Sequence, residues 1–262
     1  MDSRERVRTV LEGGVPDRVP LSDAYWETTI ERWRSEGLPA DVSPAEYFGT
    51  DEIVQLSGDY SLQMPERVVA ESTVERTYWD ADGALRRDLH LAEGWTSQWL
   101  DFSIQRPADL EQYRGRFAFN PARIPATALA GYRDARARGK FVCYLAHACF
   151  HPTWMRVGLE RMLVAMIEEP AFVHQLFEAH AQLVIDLFDG FQKAGVEFDG
   201  VFLADDLGYK SAPLISPRHY RALVQPYHRA LCEHFTGCGL KTILHSDGHV
   251  TPLIPLFLEA GF

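Results

Sequence analysis

From about residue 126 onward, nearly continuous apolar runs of strand length alternate with amphipathic stretches of helix length. The runs are FVCYLA (141–146), GVFLA (200–204) and KTIL (241–244). Short apolar segments of this kind are typical of strands covered on both faces of a parallel sheet. Helices are expected over about 127–138 and over about 158–194, the latter broken near Glu169-Pro170 and ended by Gly195. A third is expected through SPRHYRALVQPYHRALCEHF, with Ser216 as its cap and Pro217 in its first turn, and VTPLIPLFLEA (250–260) reads as the last. Strand–helix alternation predicts a parallel sheet with helices outside it.

The first half is patterned differently. Residues 4 to about 12 read as a short helix ended by Gly13-Gly14, and VPDRVPLSDAYW as a turn and a short strand at Val19–Leu21. TTIERWRSEGL (28–38) reads as an amphipathic helix stopped by Gly37. Between about 50 and 105 the alternation becomes β-like, and the D-A-D-G turn in RVVAESTVERTYWDADGALRRDLHL marks a hairpin. Trp79, Trp95 and Trp99 fall in this region and are expected to pack in its core. PADLEQYRG (107–115) restarts helix after a proline.

Length and charge narrow the function classes. A chain of 262 residues fits one large domain or two small ones, and a barrel or a doubly wound α/β domain routinely fills such a length, here 1–262, as a single unit. A net charge of −11 argues against nucleic acid or an anionic membrane as partner, since phosphate binding needs a basic stripe. The charged, amphipathic start is unlike a signal peptide, no window reads as a membrane span, and Cys143, Cys149, Cys232 and Cys238 form no CxxC pair. A cytoplasmic protein with reduced thiols is the expectation.

Polar residues cluster after each of the three apolar runs. His147, Cys149 and His151 follow the first, Asp205, Asp206, Gly208, Tyr209 and Lys210 the second, and His245, Asp247 and His249 the third. In a parallel barrel the strand C-termini share one face, and the site is built there. Asp23, Tyr25 and Trp26 would reach the same face after the expected first strand, placing Asp23 and Trp26 with His147, His151, Asp205 and Tyr209 among candidate substrate-binding groups.

His245 and Asp247 are two residues apart and face one side of an extended segment. With Asp206 they offer three ligands for a divalent ion, zinc first among candidates. The rival reading gives Asp247-Gly248 to a turn that caps the next helix, with His249 beginning that helix and His245 bonded in the core. Adjacent carboxylates on a strand point opposite ways, so one of Asp205 and Asp206 is expected to face the site and the other to cap or pair. A desolvated carboxylate there would have a raised pKa and act as an acid. Catalysis would then rest on Asp206, Asp247 and His245. Cys149 as a nucleophile is the weaker reading, because a buried cysteine is usually inert packing.

VPDRVPLSDAYW, GVFLADDLGYKSAPLISPRHYRALVQPYHRAL and TILHSDGHVTPLIPLFLEAGF resemble the uroporphyrinogen decarboxylase superfamily, which includes cobamide-dependent methyltransferases and demethylases. The DADG hairpin and GLERMLVAMIEEP extend the resemblance over most of the chain. It implies a (β/α)8 TIM-type barrel with the site at the C-terminal face, a β-hairpin insertion near 65–105, and a C-terminus short of the family's by the last one or two βα units. Such an opening would expose strand edges, a liability that pairing, as in a homodimer, could cover. Two departures bear on function. Where true decarboxylases carry an Arg-rich RQAGRY loop, this chain reads SDAYWETTIERWR, so Arg32 and Arg34 lie outside that motif. Where zinc-dependent methyltransferases carry His-x-Cys, it reads His245-Ser246-Asp247, and their second cysteine would lie beyond Phe262.

Three functions follow. The first is metal-assisted methyl transfer or O-demethylation of a small substrate with a corrinoid protein as partner. The second is decarboxylation of a porphyrinogen-like or smaller acid without any cofactor. The third is a binding protein or inactive remnant.

Overall fold

All of the strand Phe141–His147 is buried except Leu145 and His147, and the parallel sheet is built around it. The computed structural model describes residues 1–91 and 94–262. Its strands are β1 (Ile53–Leu56), β2 (Arg67–Glu71), β3 (Glu75–Trp79), β4 (Ala84–Leu91), β5 (Gly94–Phe102), β6 (Phe141–His147), β7 (Gly200–Ala204) and β8 (Thr242–His245). Among the described residues β1, β6, β7 and β8 form a four-stranded parallel sheet in the order β1-β6-β7-β8. The sheet stays close-knit at Gly200, where a Cβ would stand 2.9 Å from the Phe141 ring.

The two faces of β6 pack differently because side chains alternate along a strand. Val142, Tyr144 and Ala146 join the main core, against helices Pro170–Lys193 and Gln225–Gly237. Tyr144 donates its hydroxyl to the Val184 carbonyl at 2.7 Å, and its ring meets Phe188, Phe191, Phe198 and Phe235. The long helix repeats buried residues every three or four positions, from Phe172, Val173, Leu176 and Phe177 to Leu187, Phe188 and Phe191. On the other face, Phe141 and Cys143 form a smaller cluster with Val7 of helix Ser3–Leu11, joined by Ile53 and Phe202. That face leads, two residues at a time, to His147 on β6, Ala204 on β7 and His245 on β8, which share one register level.

The D-A-D-G segment turns β3 into β4 within an antiparallel sheet ordered β2-β3-β4-β5. The Asp80 carboxylate accepts the N–H groups of Asp82 and Ala84, and Gly83 takes φ 75, a conformation glycine adopts without strain. This sheet leans on helix Phe150–Val157 through Trp99 and Trp154, whose rings meet edge to face at 5.7 Å. Trp79 is half-buried, and the Trp95 side chain lies outside the described residues.

Three expectations are corrected. Val19–Leu21 joins no ladder among the described residues: Val19 is 81% and Leu21 62% exposed, and the segment is tied to the fold through Leu21 and Asp51. Residues Phe150–Val157 form a helix where a polar loop followed β6 in the sequence pattern. The last helix starts later than Val250, with a 3-10 turn at Thr251–Leu253 before Ile254–Ala260. No helix of the described residues is long and apolar enough to cross a membrane.

Candidate functional site

Strand parity sorts the adjacent carboxylates. Asp206 continues the face of Phe202 and Ala204, and Asp205 the opposite one, toward the helices. Asp205 is 0% exposed. Its carboxylate accepts the backbone N–H groups of Cys149, Phe150 and His151 at 3.4, 3.2 and 2.6 Å, and Nε2 of His228 donates to it at 2.8 Å. The first turn of helix Phe150–Val157 has no side-chain cap of its own, so Asp205 supplies from β7 the acceptor that a helix start needs. Burial pushes Asp205 upward, but the His228 hydrogen bond and charge, with the backbone donors, outweigh it and hold the carboxyl below its ordinary value.

Asp206 is half-buried at the C-terminal end of the parallel sheet, a mouth that it shares with His147 and His245 at the ends of β6 and β8. Its Oδ2 is 2.9 Å from Nδ1 of His151, a close imidazole–carboxylate contact without the alignment of a hydrogen bond. Its Oδ1 accepts the Asp247 N–H at 3.0 Å. Nε2 of His245 stands 3.8 Å from Asp206 and 3.5 Å from Asp247. The His151 imidazole, opposed by partial burial and helped by the Asp247 N–H, holds Asp206 at about 2. A raised pKa and a proton-donor role were expected here; the imidazole and amide neighbours reverse that, and Asp206 is an anion.

The loops after β7 and β8 approach closely because each has a glycine at the crossing. A Cβ on Gly208 would fall 2.6 Å from the Gly248 carbonyl carbon and 2.7 Å from the His249 nitrogen, and one on Gly248 would fall 2.8 Å from the Gly208 oxygen. Tyr209 and His249 form a bridge there, with the His249 N–H donating to the Tyr209 carbonyl at 2.7 Å. His249 therefore precedes the last helix rather than starting it, and Asp247 caps nothing. Gly208→Ala is expected to cost ~1–3 kcal/mol, because a methyl has only backbone to meet. A thermal melt checks this, and a variant melting with the parent would show that the loops can part freely.

The structure therefore brings Asp206, His245 and Asp247 together, with one ligand atom from each lying within 4.8 Å of the others. His147 stands beside them, its ring centroid 5.2 Å from that of His151, which stacks on Trp154. Enclosure by protein and the neighbouring His151 lower the His147 pKa although part of the ring reaches solvent. Tyr209 is exposed on the Gly208 loop. Asp205, expected among the substrate-facing groups, is enclosed and spent on the helix. No hydrogen bond, ion pair or ring contact among the described residues links Asp23 or Trp26 to this cluster; Trp26 is 75% exposed at the start of helix Glu27–Glu36. Cys149 is buried, and desolvation pushes its thiol well upward, which leaves it unreactive. The sequence reading missed His228 and Tyr220, whose hydroxyl lies 2.9 Å from Nδ1 of His228.

The donor set suits a divalent cation. Two ligands at about 2 Å from a tetrahedral ion lie about 3.3 Å apart, close to the 3.5 and 3.8 Å separations at His245 Nε2. The His245 ring makes no hydrogen bond, and no Arg or Lys pairs with Asp206 or Asp247, among the described residues. Imidazole with two carboxylates is a harder set than one containing thiolate.

Residues 148–262 match the uroporphyrinogen decarboxylase family. The matched segment contains GLERMLVAMIEEP, GVFLADDLGYK and TILHSDGH, so the superfamily resemblance read from those stretches holds. The fold is also similar to a solved methyltransferase from Methanosarcina mazei, with a TM-score of 0.61 and 13% sequence identity over 100% of this chain and 74% of that one. At that identity the likeness is one of fold. No curated protein sequence matches the chain.

Proposed function

We propose that the protein is a metal-dependent methyltransferase of the uroporphyrinogen decarboxylase superfamily, which demethylates a small substrate with a corrinoid protein as methyl acceptor. The observation that carries this reading is the convergence of Asp206, His245 and Asp247 on one mouth, with a ligand atom of each within 4.8 Å of the others. These three residues would hold the ion. When bound there, a divalent cation such as zinc supplies Lewis acidity toward the heteroatom that carries the methyl group. The rest is done by the chain. Asp206 is an anion without metal, so it needs no deprotonation to serve as a ligand. His151 approaches its second oxygen and fixes which one faces the mouth. His147 and Tyr209 border the cluster and are proposed to position the substrate.

A cofactor-free decarboxylase fits this mouth less well. It would need cationic groups for the substrate's carboxylates, whereas the groups gathered here are carboxylates and imidazoles. The test is metal analysis of the purified protein beside Asp247→Ala. About one divalent ion per chain in the parent, lost in the variant, is expected, followed by methyl transfer to added cobalamin from methylated small molecules. A parent that retains no ion after equilibration with zinc would overturn the reading.

A further inference from the structure

Helix Pro217–Gly237 is not a continuous α-helix: residues Tyr220–Val224 form a π-helical turn in which the Gln225 N–H bonds the Tyr220 carbonyl, five residues back. The sequence supplies a cause. Pro226 follows directly; it has no N–H to donate, and its ring would strike the carbonyl four residues earlier in a regular helix. Widening the preceding turn removes that clash.

The widened turn changes which side chains align. In a regular α-helix, residues eight apart point about 80° away from each other. A π turn absorbs one extra residue, so Tyr220 and His228 take the relation of residues seven apart, about 20° from alignment. They meet at 2.9 Å, both fully buried. His228 then reaches Asp205 with its other ring nitrogen. A carboxylate can only accept, so His228 Nε2 carries a proton in either state of the ring. Asp205 in turn gathers the N–H groups of 149–151.

We infer that His228 and Tyr220 are positioning residues, which act through Asp205 to hold the start of helix Phe150–Val157, and with it His151, against Asp206. The inference rests on the proposed reading of Asp206 as a site residue. Two routes lead from His228 to that residue. Fixing the Asp205 side chain fixes the backbone that carries Asp206 next to it. Drawing the His151 N–H to within 2.6 Å of Asp205 sets the imidazole 2.9 Å from Asp206 on the opposite side. Neither His228 nor Tyr220 touches the mouth, so any effect on it must pass through Asp205.

The test compares His228→Asn, too short to reach Asp205, with His228→Gln, whose amide nitrogen falls near the lost Nε2. Metal-free protein labelled with 15N in histidine reports the His151 ring, and Co2+ titration reports the triad. His228→Asn is expected to move the His151 ring resonances toward those of a free imidazole and to weaken Co2+ binding about 10–100-fold. His228→Gln is expected to restore both within about threefold of the parent. A purely structural role would lower the melting temperature of both variants and leave His151 unmoved in folded protein. Tyr220→Phe, which removes one hydroxyl, is expected to shift His151 in the same direction by less, and it carries the test if the His228 variants do not fold. Unchanged His151 resonances in a folded variant overturn the inference whatever Co2+ does. A parent that binds no Co2+ while His151 still responds to His228→Asn upholds the positioning and removes the metal reading instead.

Discussion

Replacing Asp205 by alanine is expected to destabilise the fold by ~3–5 kcal/mol, because it removes a buried carboxylate from several enclosed donors at once. The side chain is fully enclosed and gathers four donors: three backbone N–H groups at the start of helix Phe150–Val157 and Nε2 of His228. Alanine leaves all of them enclosed and without this acceptor, and an unpaired buried donor costs about 1–3 kcal/mol on its own. Asp205→Asn keeps one acceptor oxygen but turns an amide N–H toward a donor, so it is expected to recover only part of the loss. Urea unfolding of the three proteins gives the comparison. A loss below about 1 kcal/mol for Asp205→Ala would mean that the helix start relaxes to find water, and would remove Asp205 as its anchor. Asp247→Ala, on the exposed side of the same mouth, is expected to leave stability nearly unchanged, because surface charge pairs contribute little.

The contrast between neighbouring carboxylates shows how much of the site was legible in the sequence. Alternation along β7 requires Asp205 and Asp206 to part, and the step of two residues places His245 and Asp247 on one side. Both facts are local and need no coordinates. The apolar runs at β6 and β7 were equally plain, because a strand covered on both faces has few polar positions to blur it. The D-A-D-G turn carried its own hydrogen-bond pattern in Asp80 and its left-handed residue in Gly83.

What was not legible depended on distant partners. HACFHPTW lacks a local cap and carries Pro152, so it does not read as helix; its cap is Asp205, more than fifty residues on. Val19–Leu21 has the composition of a strand, yet strand formation needs a neighbour, and no ladder forms there among the described residues. His228 sits in an amphipathic helix, where a histidine ordinarily reads as surface. Only the π turn ahead of Pro226 aligns it with Tyr220, and one extra residue of helical phase is invisible to a pattern search at fixed period. The low pKa of Asp206 likewise came from His151 on another element.

Acidification from pH 7 toward 4.5 is expected to destabilise the protein steeply, with His180 as a principal cause. His180 lies in helix Pro170–Lys193 and is fully buried. Its Nδ1 is 2.9 Å from an Arg156 nitrogen and its Nε2 is 2.9 Å from the His147 carbonyl. Arginine can only donate and a carbonyl only accept, so the ring is neutral with its proton on Nε2. Protonating Nδ1 would set an N–H against the guanidinium. Arg156 cannot turn aside, because it also holds Asp82 of the D-A-D-G turn and the Tyr60 carbonyl. Burial first, then the Arg156 charge, push the His180 pKa down to about 3. An unfolded chain binds a proton at this position near pH 6.5, while the folded chain does not until about pH 3. Between those values the unfolded state holds more protons, so stability falls as pH falls, by up to ~1.4 kcal/mol per unit from this residue. His147, also lowered, adds to the same slope. Urea midpoints from pH 7 to 4.5 measure the fall, and His180→Asn, whose carbonyl can still accept from Arg156, is expected to flatten it. A His180 ring that titrates near 6.5 in the folded protein by NMR would contradict the neutral, arginine-bonded state and with it the link between the D-A-D-G turn and the end of β6.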